Sequence, residues 1–122
     1  LLMENFFKRE VVVNFNEPEI ETIVNIDVAV QVEKNFVFVT EVLDYQQKYK
    51  SETEVTARIK MVGVFEKIGE PKLDVNEFGN INGAAIVFPY IREHLTNLSA
   101  KSGIGLVVLP PFNFTKRRLD KK

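Results

Sequence analysis

Period-two alternation fills the first half of the chain and stops near Glu66, so the fold has to be built on strands first and on helix second. From Val24 to Glu33, Val24, Ile26, Val28, Val30 and Val32 alternate with Asn25, Asp27, Gln31 and Glu33. Such a pattern puts an apolar row on one face of a strand and a polar row on the other. Similar alternation predicts a strand over residues 7–15, carried by Phe7, Val11, Val13 and Phe15, and another from Val55 through Met61 to about Glu66. Between them, residues 36–49 open on Phe36-Val37-Phe38-Val39, a run that requires burial on both faces. Short connections join these segments, which predicts a four-stranded antiparallel meander.

The second half changes period. Residues 69–83 carry Pro71, Gly79, Asn80, Asn82 and Gly83, which read as a crossover loop. Beyond them Ala84, Phe88, Ile91, Leu95 and Leu98 recur at steps of three and four, one apolar stripe along a helix that ends near Lys101 and Gly103. Pro89 falls within it and must either kink the helix or lie in its first turn, because an interior proline costs about 3 kcal/mol. A single helix can cover only part of one face of a four-stranded sheet that carries apolar residues on both. The remainder is expected to be covered by further copies of the chain, by an apolar client, or by both.

At 122 residues, 45% of them hydrophobic and 27% charged, the chain is long enough for one globular domain. That domain is expected over residues 1–114, followed by a basic, disordered tail at 115–122, where Lys116, Arg117, Arg118, Lys121 and Lys122 face only Asp120. The tail aside, the chain is mildly acidic, which argues against nucleic acid as a partner. No apolar run is long enough to insert in a membrane and no leader pattern stands at the start, so a cytoplasmic protein is expected.

Reactive groups are scarce. There is no cysteine, and His94 is the single histidine, so neither a metal site nor a cofactor is expected and no catalytic residue is assigned. His94 reads as a surface or interface residue. Glu17, Glu19 and Glu21 read as a solvated edge, Gly79 to Gly83 lacks the lysine and context of a phosphate loop, and Asn97-Leu98-Ser99 and Asn113-Phe114-Thr115 are chance glycosylation matches. More telling is the gathering of Phe65, Phe78, Phe88, Phe112 and Phe114 around the loop, the helix start and the proline segment.

Three motifs in a fixed order give the chain a family likeness. Gly63-Val64-Phe65 ends the fourth strand, Ile86-Val87-Phe88-Pro89-Tyr90-Ile91-Arg92-Glu93 opens the helix, and Leu109-Pro110-Pro111-Phe112-Asn113-Phe114 follows Gly103. Together they resemble the SecB protein-export chaperone family over nearly the whole chain. The resemblance implies an α+β fold in which a four-stranded antiparallel sheet carries one long helix on one face, assembled as a dimer of dimers. It also implies an ATP-independent holdase that binds unfolded precursor proteins in a hydrophobic groove and delivers them to SecA. By position, Val24, Ile26, Val28, Phe65, Phe78, Phe112 and Phe114 would line or border that groove. The helix stripe Phe88, Ile91, Leu95 and Leu98 is expected at a subunit interface.

The chain departs from the family pattern in three places. No C-terminal helix follows Asn113-Phe114, the link between the first two strands is short, and the acidic positions that dock SecA correspond approximately to Asn16 and Arg58. Conventional docking on the zinc domain of SecA is therefore not expected. The alternative to an export holdase is an interaction module of the same fold, or a chaperone dedicated to one partner such as a toxin–antitoxin pair.

Overall fold

The computed structural model describes residues 1–14, 17–67 and 74–114. Four strands, β1 (Leu2–Arg9), β2 (Ile20–Val32), β3 (Phe36–Tyr49) and β4 (Glu52–Glu66), form one antiparallel sheet in the order β1-β4-β3-β2. The meander thus runs through β2, β3 and β4, while β1 adds to the far edge of β4, and the link from β1 to β2 has to cross the sheet. In that register Val24, Ile26, Val28 and Val30 pair with Tyr45, Leu43, Glu41 and Val39, which in turn pair with Ala57, Ile59, Met61 and Gly63. All of these therefore share one face.

The first strand lies earlier than the alternation predicts. It runs over Leu2–Arg9 rather than 7–15, with a register shift between Leu2 and Glu4. At the edge of the sheet its burial is slight on both faces, so apolar and polar residues do not alternate cleanly and the period is hidden. Val13 reaches the core from irregular chain instead, and Phe15 lies outside the described residues. Asn14 holds this crossing segment down: its backbone N–H and its Nδ2 donate to Glu54 Oε1 and Oε2 at 2.8 and 2.9 Å.

The predicted crossover loop is helical from Val75 on, and residues 69–73 lie outside the described residues. From Asp74, whose side chain caps the backbone N–H groups of Asn76 and Glu77, the chain runs through α1 (Val75–Phe78) and a π-helical turn (Gly79–Gly83) into α2 (Ala84–Ser102). Gly79 and Gly83 have ordinary right-handed backbone there and are not turn residues. Contact explains them instead. A Cβ on Gly79 would stand 2.7 Å from Val30, and one on Gly83 2.9 Å from Val39, so both positions let the helix backbone touch the sheet. Breaker residues therefore mark a close approach, which a propensity argument mistakes for a loop.

The helix α2 lies across β3 and β4, burying Ala84, Val87, Phe88, Ile91, Leu95 and Ser99. Pro89 is inside α2, and the carbonyl it leaves without a helical donor belongs to Ala85, which is exposed like Pro89 itself. Water can satisfy that carbonyl, so the helix continues. At the far end Gly103 adopts the left-handed conformation, with φ at 76°. There Arg9 donates to the Ser102 carbonyl, setting a cation at the negative end of the helix and tying β1 to α2.

Adding a methyl group at Gly79 is expected to destabilise the protein by about 1–3 kcal/mol through overpacking. Denaturant unfolding of Gly79→Ala checks this, and the accompanying change Val30→Ala should restore part of the loss.

Candidate functional site

After Gly103 the chain doubles back along α2 without regular secondary structure until Phe114. Ile104, Leu109 and Phe114 are buried in the core and Val107 is packed against it, whereas Leu106, Val108 and Phe112 face outward. Two helix hydroxyls hold the middle of this segment. Thr96 Oγ1 donates to the Val107 carbonyl at 2.7 Å, and the Val107 backbone N–H donates to Ser99 Oγ at 2.9 Å. Farther along, Phe88 meets Phe114 nearly edge-on at 5.9 Å, and Phe112 tilts onto Phe114 at 4.8 Å. Arg92 lies over the other side of this group, 5.9 Å from the Phe88 ring centre.

This segment has a definite side. Tyr90 and His94 line a cleft with Leu1, Leu2 and Met61, which places them over β1 and β4. Helical geometry puts Phe88, Arg92, Thr96 and Ser99 on the other flank, toward β2. On that flank Ile104, Val107, Leu109 and Phe114 share one core cluster with Ile26 and Val28 of β2, and the apolar strip between α2 and the β2 edge that residues 104–114 cover is the trough.

Of the expected groove residues, Ile26 and Val28 are half-buried against the same core as Ile104, Leu109 and Phe114. Val24 is 37% exposed at the β2 margin. All three belong to the helix side of the sheet and not to its uncovered face. Phe65 and Phe78 form a separate edge-to-face pair, 5.4 Å apart, beside the π-helical turn. The expected groove set thus falls into two aromatic groups with the β2 row along one side. Phe114 lies inside the trough rather than on its border, being only 3% exposed, while Phe112 forms the rim.

The helix stripe does not stand free for another subunit. Ile91 and Leu95 have no exposed surface within the single chain, Phe88 is buried, and Leu98 packs against the same core. Within the chain the stripe therefore forms an intramolecular seam, with Leu98 only half-buried. The apolar residues that α2 does expose are Ile86 and Tyr90, on the flank facing β1.

Polar groups near the trough are few. Tyr45 donates to Gln47 Oε1 at 3.1 Å, and burial pushes its hydroxyl above the ordinary 10.0 despite a hydrogen bond with Thr22 that lowers it. His94 Nε2 has no hydrogen-bond partner among the described residues, and no metal-holding cluster occurs among them. The uncovered face of the sheet mixes Phe6, Phe38, Val42, Val62 and Val64 with a surface ion cluster in which Arg58 reaches Glu4 at 2.8 Å and Asp44 at 3.1 Å. Asn16 and the basic tail at 115–122 lie outside the described residues.

The family model described as preprotein translocase subunit SecB matches residues 1–117. The chain belongs to the SecB family. A solved SecB-like chaperone from Mycobacterium tuberculosis, in complex with a ChAD peptide from the HigA1 antitoxin, superposes with a TM-score of 0.81 over 93% of this chain and 86% of its own, at 13% identity. An uncharacterised protein of Methanocaldococcus jannaschii is 33% identical over 94 residues, which are 74% of this chain and 61% of that protein. The chain therefore spans under two thirds of the length of this curated relative. Within the SecB fold, Thr96, Ser99 and Ile104 were not singled out as site residues by the sequence, and Leu109 only as the start of the motif that ends at Phe114. Their one sequence signal is a pair of hydroxyl residues three apart on a helix flank otherwise marked by Phe88 and Arg92.

Leu95→Asp puts a charge in a fully enclosed site and is expected to cost at least about 3 kcal/mol, enough to remove the cooperative unfolding transition. Tyr90→Asp, on the exposed flank of the same helix, should leave that transition in place. Parallel thermal melts by circular dichroism compare the two.

Proposed function

We infer that this SecB-family chain is an ATP-independent holdase, which keeps unfolded proteins from aggregating by binding their extended apolar stretches. The observation that carries this reading is the trough between α2 and β2. It is walled by Ile26, Val28 and Phe88, continues onto exposed Val24 and Phe112, and carries the Thr96 and Ser99 hydroxyls, which bond the main chain of Val107 lying in it. Apolar walls select by buried area, and backbone hydrogen bonds select for an extended chain, so neither demands a particular sequence. With such a surface the protein works by binding alone, with no cofactor and no reaction.

Delivery of precursors to the Sec translocase is the broader cellular role proposed for it, in the cytoplasm and as a dimer of dimers. Exposed Leu1, Leu2, Met3, Ile86 and Tyr90 form an apolar margin along β1 and α2 suited to self-association. Direct docking on SecA through Arg58 is disfavoured, because its guanidinium is balanced by Glu4 and Asp44 and presents no acidic patch. A second reading, a chaperone dedicated to one partner, is favoured by the Mycobacterium tuberculosis relative, whose bound peptide comes from an antitoxin.

Light scattering of a chemically denatured test protein diluted into buffer separates these readings. A general holdase suppresses aggregation of several unrelated test proteins at about one tetramer per chain, with little dependence on salt because the contact is apolar. Suppression of none of them would remove the general role and leave the dedicated one.

A further inference from the structure

Residues 104–114 cross the trough as an irregular stretch of the chain. The segment has no helix or strand of its own up to Asn113, it is anchored by Ile104, Leu109 and Phe114 at intervals of five residues, and both backbone groups of Val107 are taken up by side chains of the helix. Both bonds go to main-chain atoms, so any residue except proline could stand where Val107 stands. The anchors are a branched aliphatic, another, and an aromatic. That is the chemistry of an unfolded apolar stretch, supplied by the chain itself.

We propose that the 104–114 segment is an internal pseudo-client, a strap that occupies the binding trough and must leave it before an unfolded chain can enter. This rests on the holdase reading and adds the ligand chemistry and the regulation of the same site. Prominent among the contacts to be exchanged are the two bonds to Val107 and the three anchors, and an incoming apolar segment can make contacts of the same kind. The apparent affinity for a client is then the intrinsic affinity reduced by the fraction of molecules in which the strap is out. Proline at 110 and 111 keeps the strap out of the helical conformation, so it stays extended and ready to rebind. Restraint by a contact of the same kind as the cargo also gives selectivity, because segments poorer than the strap in apolar anchors fail to displace it.

The probe is a fluorescent peptide with the strap's own sequence, Ser102 to Phe114, added in trans and read by anisotropy. Two variants change strap occupancy in opposite directions. Leu109→Ala weakens one anchor without altering the trough walls, and should tighten peptide binding about tenfold by raising the open fraction. Ser99→Cys combined with Val107→Cys, in a chain that has no cysteine of its own, locks the strap when oxidised and frees it when reduced. Peptide binding should vanish on oxidation and return on reduction, and a peptide with serine at the three anchor positions should not bind. If the oxidised form binds the peptide as tightly as the reduced form, the strap does not occupy the site and the proposal is overturned. Should Leu109→Ala fail to fold, the locked pair carries the test alone. Aggregation suppression by the same proteins is scored separately: a strap that gates the peptide without any suppression keeps this inference and removes the holdase reading.

Discussion

The seam between α2 and the two central strands holds the molecule together. Ile91 and Leu95 on the helix and Leu43 and Ile59 on the sheet keep no contact with water, and fully enclosed aliphatic side chains of this kind contribute roughly 1.5–3 kcal/mol each. The closeness of the seam depends on glycine. Gly63, on β4, has Val87 of the helix 2.7 Å from where its Cβ would be, and Gly79 and Gly83 bring the helical backbone down on Val30 and Val39. Because α2 sits over β3 and β4 and only the helical entry at Gly79 reaches β2, at Val30, the rest of the β2 edge has no helix above it. That leftover strip is the trough.

Both polar ends of the structure follow from the same placement. Arg9 binds the last turn of α2, and Asn14 with Glu54 fixes the crossing chain over the hairpin end of the sheet, so the core is closed where β3 turns into β4. The trough is closed differently, by residues that lack regular structure and rely on two hydroxyls for their backbone bonds. Segments with few backbone bonds and a limited apolar contact open at a lower free energy than central strands do. The proposed binding site thus lies on a part of the fold that can open while the seam stays shut.

The strands β2 and β4 and the span of α2 were legible in the sequence because each buries one face more than the other, which prints a period on the residues; β3 was legible as a strand, but its opening run, read as buried on both faces, buries Val37 and Val39 and leaves Phe36 exposed. The position of β1 was not, since an edge strand that is shallow on both faces prints none. The glycines of the helical entry misled for a physical reason: the same residue serves a tight turn and a close approach, and only the facing valines distinguish them. Of the groove residues, Ile26 and Val28 fall beside the trough, and Phe114 inside it. The stripe at Phe88, Ile91, Leu95 and Leu98 is an apolar face whose neighbour within the chain is its own sheet. Periodicity says that a face is covered and is silent on whether the cover belongs to the same chain.

Backbone hydrogen exchange in the free and client-saturated protein bears most directly on a trough that works while the seam stays closed. The amide of Val107 and its neighbours from Ile104 to Leu109 should exchange faster once an unfolded client is bound, while the amides of Leu43 and Ile59 remain as protected as before. Unchanged or slower exchange across 104–109 in the saturated complex would contradict the account, for it would mean that clients bind elsewhere and that the segment is a fixed part of the core.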